Sequence, residues 1–102
     1  GKVVRLDSTR SIADGLITLN VGDIPFAELA RERERIRGVV LVEDDGIHAA
    51  VQFLWRTAQL AVEPSGAATT AALLAGLVPR ARSTVLVVSG GNVDPTLLEA
   101  AD

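Results

Sequence analysis

The chain has 102 residues, with 10 Lys and Arg against 13 Asp and Glu, for a formal charge of −3. That length allows one domain or part of one, and a hydrophobic share of 48% excludes a disordered chain. The acidic balance argues against a protein that grips a phosphate backbone, and the absence of Cys excludes thiol catalysis, disulfides and Cys-ligated zinc. With one Trp, two Phe and neither Tyr nor Met, the apolar matter is Ala, Val, Leu and Ile, which suits close packing around small side chains. No apolar run approaches the ~20 residues of a membrane helix, and Gly1–Leu6 lacks the apolar core of a signal peptide. The expectation is a cytoplasmic protein that contacts neither membrane nor nucleic acid. With no Met and Gly1 first, the natural product is expected to have been trimmed, an initiator Met removed before Gly1 being one way.

From Gly1 to Asp23 neither helical nor strand period is sustained, and Ser8, Asp14-Gly15, Asn20 and Gly22-Asp23 punctuate short apolar clusters, as in an extended, loop-rich lead-in. Asp23 is a candidate N-cap with Pro25 just inside, so a helix is expected near 25–36, burying Phe26, Leu29 and Ala30. Glu28 with Arg31, and Glu32 with Arg35, pair on its outer side. The alternating signs of Arg31 to Arg37 fit a solvated face rather than a nucleic-acid patch.

After Gly38, Val39-Val40-Leu41-Val42 reads as a strand buried on both faces, the mark of a parallel sheet. Glu43-Asp44-Asp45 opens a second helix, expected near 46–62. Its buried stripe is Ile47, Ala50, Val51, Leu54, Ala58 and Ala61, opposite His48, Gln52, Arg56 and Gln59. Trp55 stands beside the polar stripe, odd for a lone soluble helix. Glu63-Pro64-Ser65-Gly66 starts a third helix, near 65–77, apolar almost all round apart from Thr69 and Thr70 and hence expected to be covered on several sides. Pro79 closes it. Thr84 to Val88 is a second buried strand, Ser89-Gly90-Gly91-Asn92 follows, and Asp94-Pro95 opens a short helical turn. The expected fold is α/β: a partial three-layer sandwich with parallel strands near 39–42 and 84–88. Two strands cannot cover two faces and two edges unaided.

Ser89-Gly90-Gly91-Asn92 lies where open α/β sheets bind ligands, outside the carboxyl end of a strand. Its hydroxyl and two glycines suit close approach to a ligand, or the glycines merely turn the chain. Glu63 is a helix cap or a pocket carboxylate. Asp14-Gly15 is a turn or a backbone wall. His48, the only histidine, has no partner set for a metal and reads as solvated, so no metal site is expected. No spacing gives Ser8, Ser11, Ser65 or Ser89 a His base.

In order, Ser11-Ile12-Ala13-Asp14-Gly15-Leu16, Val42-Glu43-Asp44, Glu63-Pro64-Ser65-Gly66-Ala67-Ala68 and Val87-Val88-Ser89-Gly90-Gly91-Asn92-Val93-Asp94 resemble the threonine dehydratase and serine racemase branch of the fold type II pyridoxal-phosphate enzymes. The resemblance is collinear from about residue 4 to residue 95. It implies that Ser89 hydrogen-bonds the pyridine nitrogen of pyridoxal 5'-phosphate, that the Gly15 backbone lies beside its ring, and that Glu63 is a carboxylate on the pocket wall. A neutral hydroxyl at that nitrogen makes the ring a moderate electron sink, suited to β-elimination. The family's Schiff-base lysine and Gly-rich phosphate loop belong to an earlier stretch that has no match here. Lys2 is the only lysine, in Gly1-Lys2-Val3-Val4, which does not match the lysine motif.

The resemblance thus implies that residues 1–102 are the C-terminal part of a catalytic domain, with no catalytic residue of their own. The fragment is expected to be inactive and to lack the main cofactor anchor. The parent is expected to be an ammonia-lyase, deaminating L-threonine (or L-serine) to a 2-oxo acid, 2-oxobutanoate from threonine, and ammonia. An amino-acid racemase of the same family, or a self-standing non-catalytic α/β assembly module, are the alternatives. Isolated, the chain is expected to form homo-oligomers through exposed apolar surfaces.

Overall fold

The structure, a computed structural model, describes residues 1–99. Its regular elements are, in order, a 3-10 turn at Asp14–Leu16, helix α1 at Asp23–Arg31, a 3-10 turn at Arg33–Arg35, helix α2 at Asp44–Ala58, a 3-10 turn at Pro64–Ala67, helix α3 at Ala68–Leu74 and a 3-10 turn at Pro95–Leu97.

The expected α/β sandwich is not what forms. Among the described residues every regular element is helical, and there is no strand or sheet. Segments 39–42 and 84–88 share no backbone hydrogen bond. Val39 and Val85 are each 89% exposed, and Leu41 86%. A strand exists only through a neighbour's N–H and C=O groups. The apolar runs carry the composition of buried strands, but among the described residues no segment supplies a ladder of backbone bonds to them. Only Val42 and Val88, at their ends, pack against the core.

Helix starts lie close to the expected places, whereas helix ends do not. In α1, Gly22 is the capping residue and Asp23 falls within the first turn. The helix stops at Arg31, short of 36, and buries none of its residues, so its expected buried face is not realised. The ion pairs Arg31–Glu28 (2.6 Å) and Arg35–Glu32 (3.3 Å) form on the surface as read. Helix α2 ends at Ala58, not 62, because Gln59 takes a left-handed conformation (φ +56°). The N–H groups of Gln59 and Leu60 then turn back to the carbonyls of Trp55 (3.0 Å) and Leu54 (3.1 Å). This reversal leaves Ala58 and Ala61 exposed, outside the expected stripe. Helix α3 stops at Leu74, short of 77, where Gly76 adopts φ +73°. It is buried on one side only, through Thr70, Ala71 and Ala72, while Leu73, Leu74 and Leu77 are exposed.

The core sits where α2 crosses α3 and the Pro64–Ala67 turn. Ile47, Ala50, Val51 and Leu54 from α2 meet Val62, Ala67 and Ala71, with Ala13 joining from the lead-in. Ala50, Val51 and Ala67 are fully enclosed. Small side chains let the two backbones approach closely, which brings the segment from Glu63 to Thr69 beneath the 87–91 loop. Among the described residues no helix is long and apolar enough to cross a membrane.

Candidate functional site

The three residues singled out from sequence lie on segments that the fold ties together. The Asp14–Leu16 turn is seated first. The Ser11 hydroxyl donates to Asp44 Oδ1 (2.5 Å), the Ile12 N–H donates to the same oxygen (3.2 Å), and the Ala13 N–H donates to Ser11 Oγ (3.1 Å). Asp44 opens α2, so this carboxylate fastens the lead-in to a helix start, where negative charge is favoured. From there the Gly15 N–H donates to Ser65 Oγ at 2.8 Å. A Cβ at Gly15 would stand 2.9 Å from that oxygen and 3.2 Å from the Ser65 Cβ, so a side chain there would push Ser65 aside.

Glu63 and the Ser89 loop meet by backbone. The Glu63 N–H donates to the Gly90 carbonyl at 2.9 Å, and the Glu63 carbonyl accepts from the N–H groups of Gly66 (3.0 Å) and Ala67 (3.1 Å). The Glu63 side chain covers Gly90, whose φ is +81°, and any Cβ there would overlap the carboxylate. At Gly66 a Cβ would overlap the Ser89 carbonyl oxygen. Glu63 is half-buried and Ser89 exposed. A recess of about 280 Å³ beside the loop is lined by Leu60, Val62, Val88, Ser89 and Gly91, among others.

What sequence alone does not reveal is the joinery. Ser65 invites consideration there only as a nucleophile, yet it is the post to which Gly15 is tied. Ser11 with Asp44 spans 33 residues, and Gly15 with Ser65 spans 50, distances that no local spacing rule covers. Glu63 sits at the N-terminal boundary of its turn, but its side chain accepts no capping bond there. His48 is half-buried, with Nε2 3.5 Å from Gln52 Nε2. Among the described residues no three His, Asp or Glu side chains gather as a metal site would require. Lys2 is exposed.

Comparison with known proteins shows which family the chain is similar to. Residues 1–90 match the model of the family described as "Pyridoxal-phosphate dependent enzyme". A serine racemase of Oryza sativa subsp. indica is 34% identical over 100 residues, covering 92% of this chain and 28% of that protein. An L-threonine ammonia-lyase of Geobacter sulfurreducens is 38% identical over 95 residues, covering 92% and 23%. Among solved structures, a threonine deaminase from T.th. superposes with a TM-score of 0.78 at 35% identity, over 89% of this chain and 32% of that one. The chain thus spans less than a third of the length of these relatives.

The close approach at Gly66 predicts a sharp contrast between glycines. Gly66→Ala pushes the Ser89 backbone off the turn and lowers unfolding stability in urea by about 2 kcal/mol or more. Gly38→Ala, whose Cβ would meet nothing within 4 Å, changes it by less than about 0.5 kcal/mol. Equal effects from the two substitutions would mean that the Gly66–Ser89 contact is not what orders the loop.

Proposed function

We propose that this chain, which belongs to the pyridoxal-phosphate-dependent enzyme family, is the C-terminal part of a catalytic domain and forms one wall of its cofactor pocket. The observation that carries the proposal is that bonds from Gly15 to Ser65 and from Glu63 to Gly90 gather the Gly15, Glu63 and Ser89 segments around one turn. These residues fit one edge of the cofactor. An exposed neutral hydroxyl at Ser89 suits an aromatic ring nitrogen, and glycine at 15, 66 and 90 lets Ser65, the Ser89 carbonyl and Glu63 close in and hold the three segments together. The phosphate and aldehyde ends find no counterpart in the chain's motifs, and the only lysine, Lys2, is exposed on the lead-in.

In this reading Ser89 holds the ring nitrogen by a neutral hydrogen bond, and no carboxylate acts there to keep it protonated. Gly15 lends a flat backbone surface beside the ring, and Glu63 closes the pocket wall over Gly90. When bound, pyridoxal 5'-phosphate would supply the electron sink that lets an amino acid lose its α-proton. The chain's own residues contribute orientation. The groups that move protons at the substrate lie elsewhere in the parent, so the isolated chain is inactive. The parent reaction is the deamination of L-threonine, or L-serine. In the threonine case water is eliminated across the α and β carbons and hydrolysis of the remaining C–N bond releases 2-oxobutanoate and ammonia. Relatives of both kinds, serine racemase and L-threonine ammonia-lyase, match over almost the whole chain, which supports racemisation at the same pocket as the second reading. Either reading takes a small amino-acid substrate, and the cytoplasm is the location proposed for the enzyme.

The test begins with the coding sequence upstream of Gly1. A reading frame that continues into a lysine motif and a Gly-rich loop is expected. The longer protein should release ammonia and a 2-oxo acid from L-threonine, and Ser89→Ala should lower kcat/KM about tenfold, the worth of one hydrogen bond at the reacting group. D-serine formed from L-serine without ammonia would favour the racemase. A start codon directly before Gly1 would favour a self-standing assembly module instead.

The exposed apolar segments carry a second expectation. Val39, Leu41, Val85 and Val87 lie open, and edges of this kind associate. In sedimentation velocity the isolated chain should run as a dimer or larger. A monomer that stays soluble at high concentration would contradict this.

A further inference from the structure

Beyond the residues singled out from sequence, we infer that Thr69 is a positioning residue for Ser89, its hydroxyl clamping the chain where the Ser89 loop begins. The Thr69 Oγ1–H donates to the Val87 carbonyl at 2.9 Å, across 18 residues. It is the last of a short series of contacts. Gly90 is bound by the Glu63 N–H, Ser89 rests its carbonyl on Gly66, and Val87 is held by Thr69. Positions 63, 66 and 69 recur every three residues, as a 3-10 turn leading into a helix presents one face. Against that face the loop runs in the opposite direction, as 90, 89 and 87.

Two of these contacts are made by backbone. The one at Thr69 is made by a side chain, so it can be deleted without disturbing the fold of the turn. It also acts at the point where the open run meets the loop, since Val87 is 72% exposed while the next residue, Val88, packs against the core. With the clamp, the backbone is fixed on both sides of Ser89, and its hydroxyl leaves the surface in a defined direction. Without it, the loop is held by the Glu63 and Gly66 contacts, both at or beyond Ser89, and by the packing of Val88 on the core, with no hydrogen bond on the Val87 side. The neighbouring Thr70 supplies an internal contrast. It is 2% exposed, and its Oγ1 has no hydrogen-bond partner. Of two adjacent threonines, then, one ties the loop and the other only fills the core.

The importance of the clamp rests on the reading of Ser89 as the cofactor-facing hydroxyl, but its existence is measurable without cofactor. The readout is hydrogen exchange of the Glu63 amide in the 102-residue chain, because that N–H is protected only while the loop is seated on the turn. Thr69→Val should speed this exchange about fivefold, the share of one neutral hydrogen bond, and leave the α2 amides unchanged. Thr69→Ser, which keeps the hydroxyl, should restore the wild-type rate. Thr70→Val should leave the Glu63 rate unchanged and should not lower the melting temperature, since it removes a buried hydroxyl that binds nothing. Three results overturn the proposal: no change in Thr69→Val, a Thr69→Ser variant as fast as Thr69→Val, or acceleration spread equally over α2. Ser89→Ala should leave the Glu63 rate as it is and lower kcat/KM only in the longer protein, so the exchange rate reads the clamp, kcat/KM reads the Ser89 role, and failure of either is distinguishable from failure of the other.

Discussion

The contact on which the site depends is the approach of the Ser89 carbonyl to Gly66, so close that no Cβ can stand between them. It joins two stretches that the chain separates by a whole helix and a long loop. Around it the Glu63 N–H and Gly90 carbonyl close one side, and the Thr69 hydroxyl closes the other. The approach is possible because the layer beneath is built of small residues. Ala67 and Ala71 pack under α2 against Ala50 and Val51, with almost no exposed surface among them. A larger residue at any of these positions would lift the Pro64–Ala67 turn and, with it, the seat of the loop. The poverty of aromatic side chains in the composition therefore has a structural use.

How much of this could be read in the sequence varies by the kind of interaction involved. Helix starts were readable, because Pro25, Asp44-Asp45 and Pro64 act through local geometry and local charge. Helix ends were not. Gln59 ends α2 in a left-handed conformation usually left to glycine or asparagine, so nothing in its identity announces the stop. The two β-branched runs misled, since Val39 to Val42 and Val85 to Val88 record a preference for burial in a sheet while the ladder itself must come from another segment. The site divides the same way. The chemical character of Gly15, Glu63 and Ser89 is visible in their motifs. The bonds that gather their segments, from Ser11 to Asp44, Gly15 to Ser65 and Thr69 to Val87, span between 18 and 50 residues and emerge only from the packing of α2 on α3.

The same features give the proposed function its shape. The family relationship covers residues 1–90, while the chain corresponds to less than a third of its relatives. On the proposed reading, what it carries is the glycine-containing edge that would meet the ring of the cofactor. The reactive amine and the phosphate anchor belong, on this reading, to sequence outside these residues. The exposed apolar runs and the wall-like site are then two views of one fact: surfaces shaped to be completed by something else.

The most direct test of that account is a titration of pyridoxal 5'-phosphate into the 102-residue chain, followed by imine absorption and borohydride trapping. The account predicts no specific band and no trapped adduct, because the chain offers a wall for the ring and no placed amine. A stoichiometric adduct mapped to Lys2 would contradict it, and would make this chain a cofactor-binding protein in its own right.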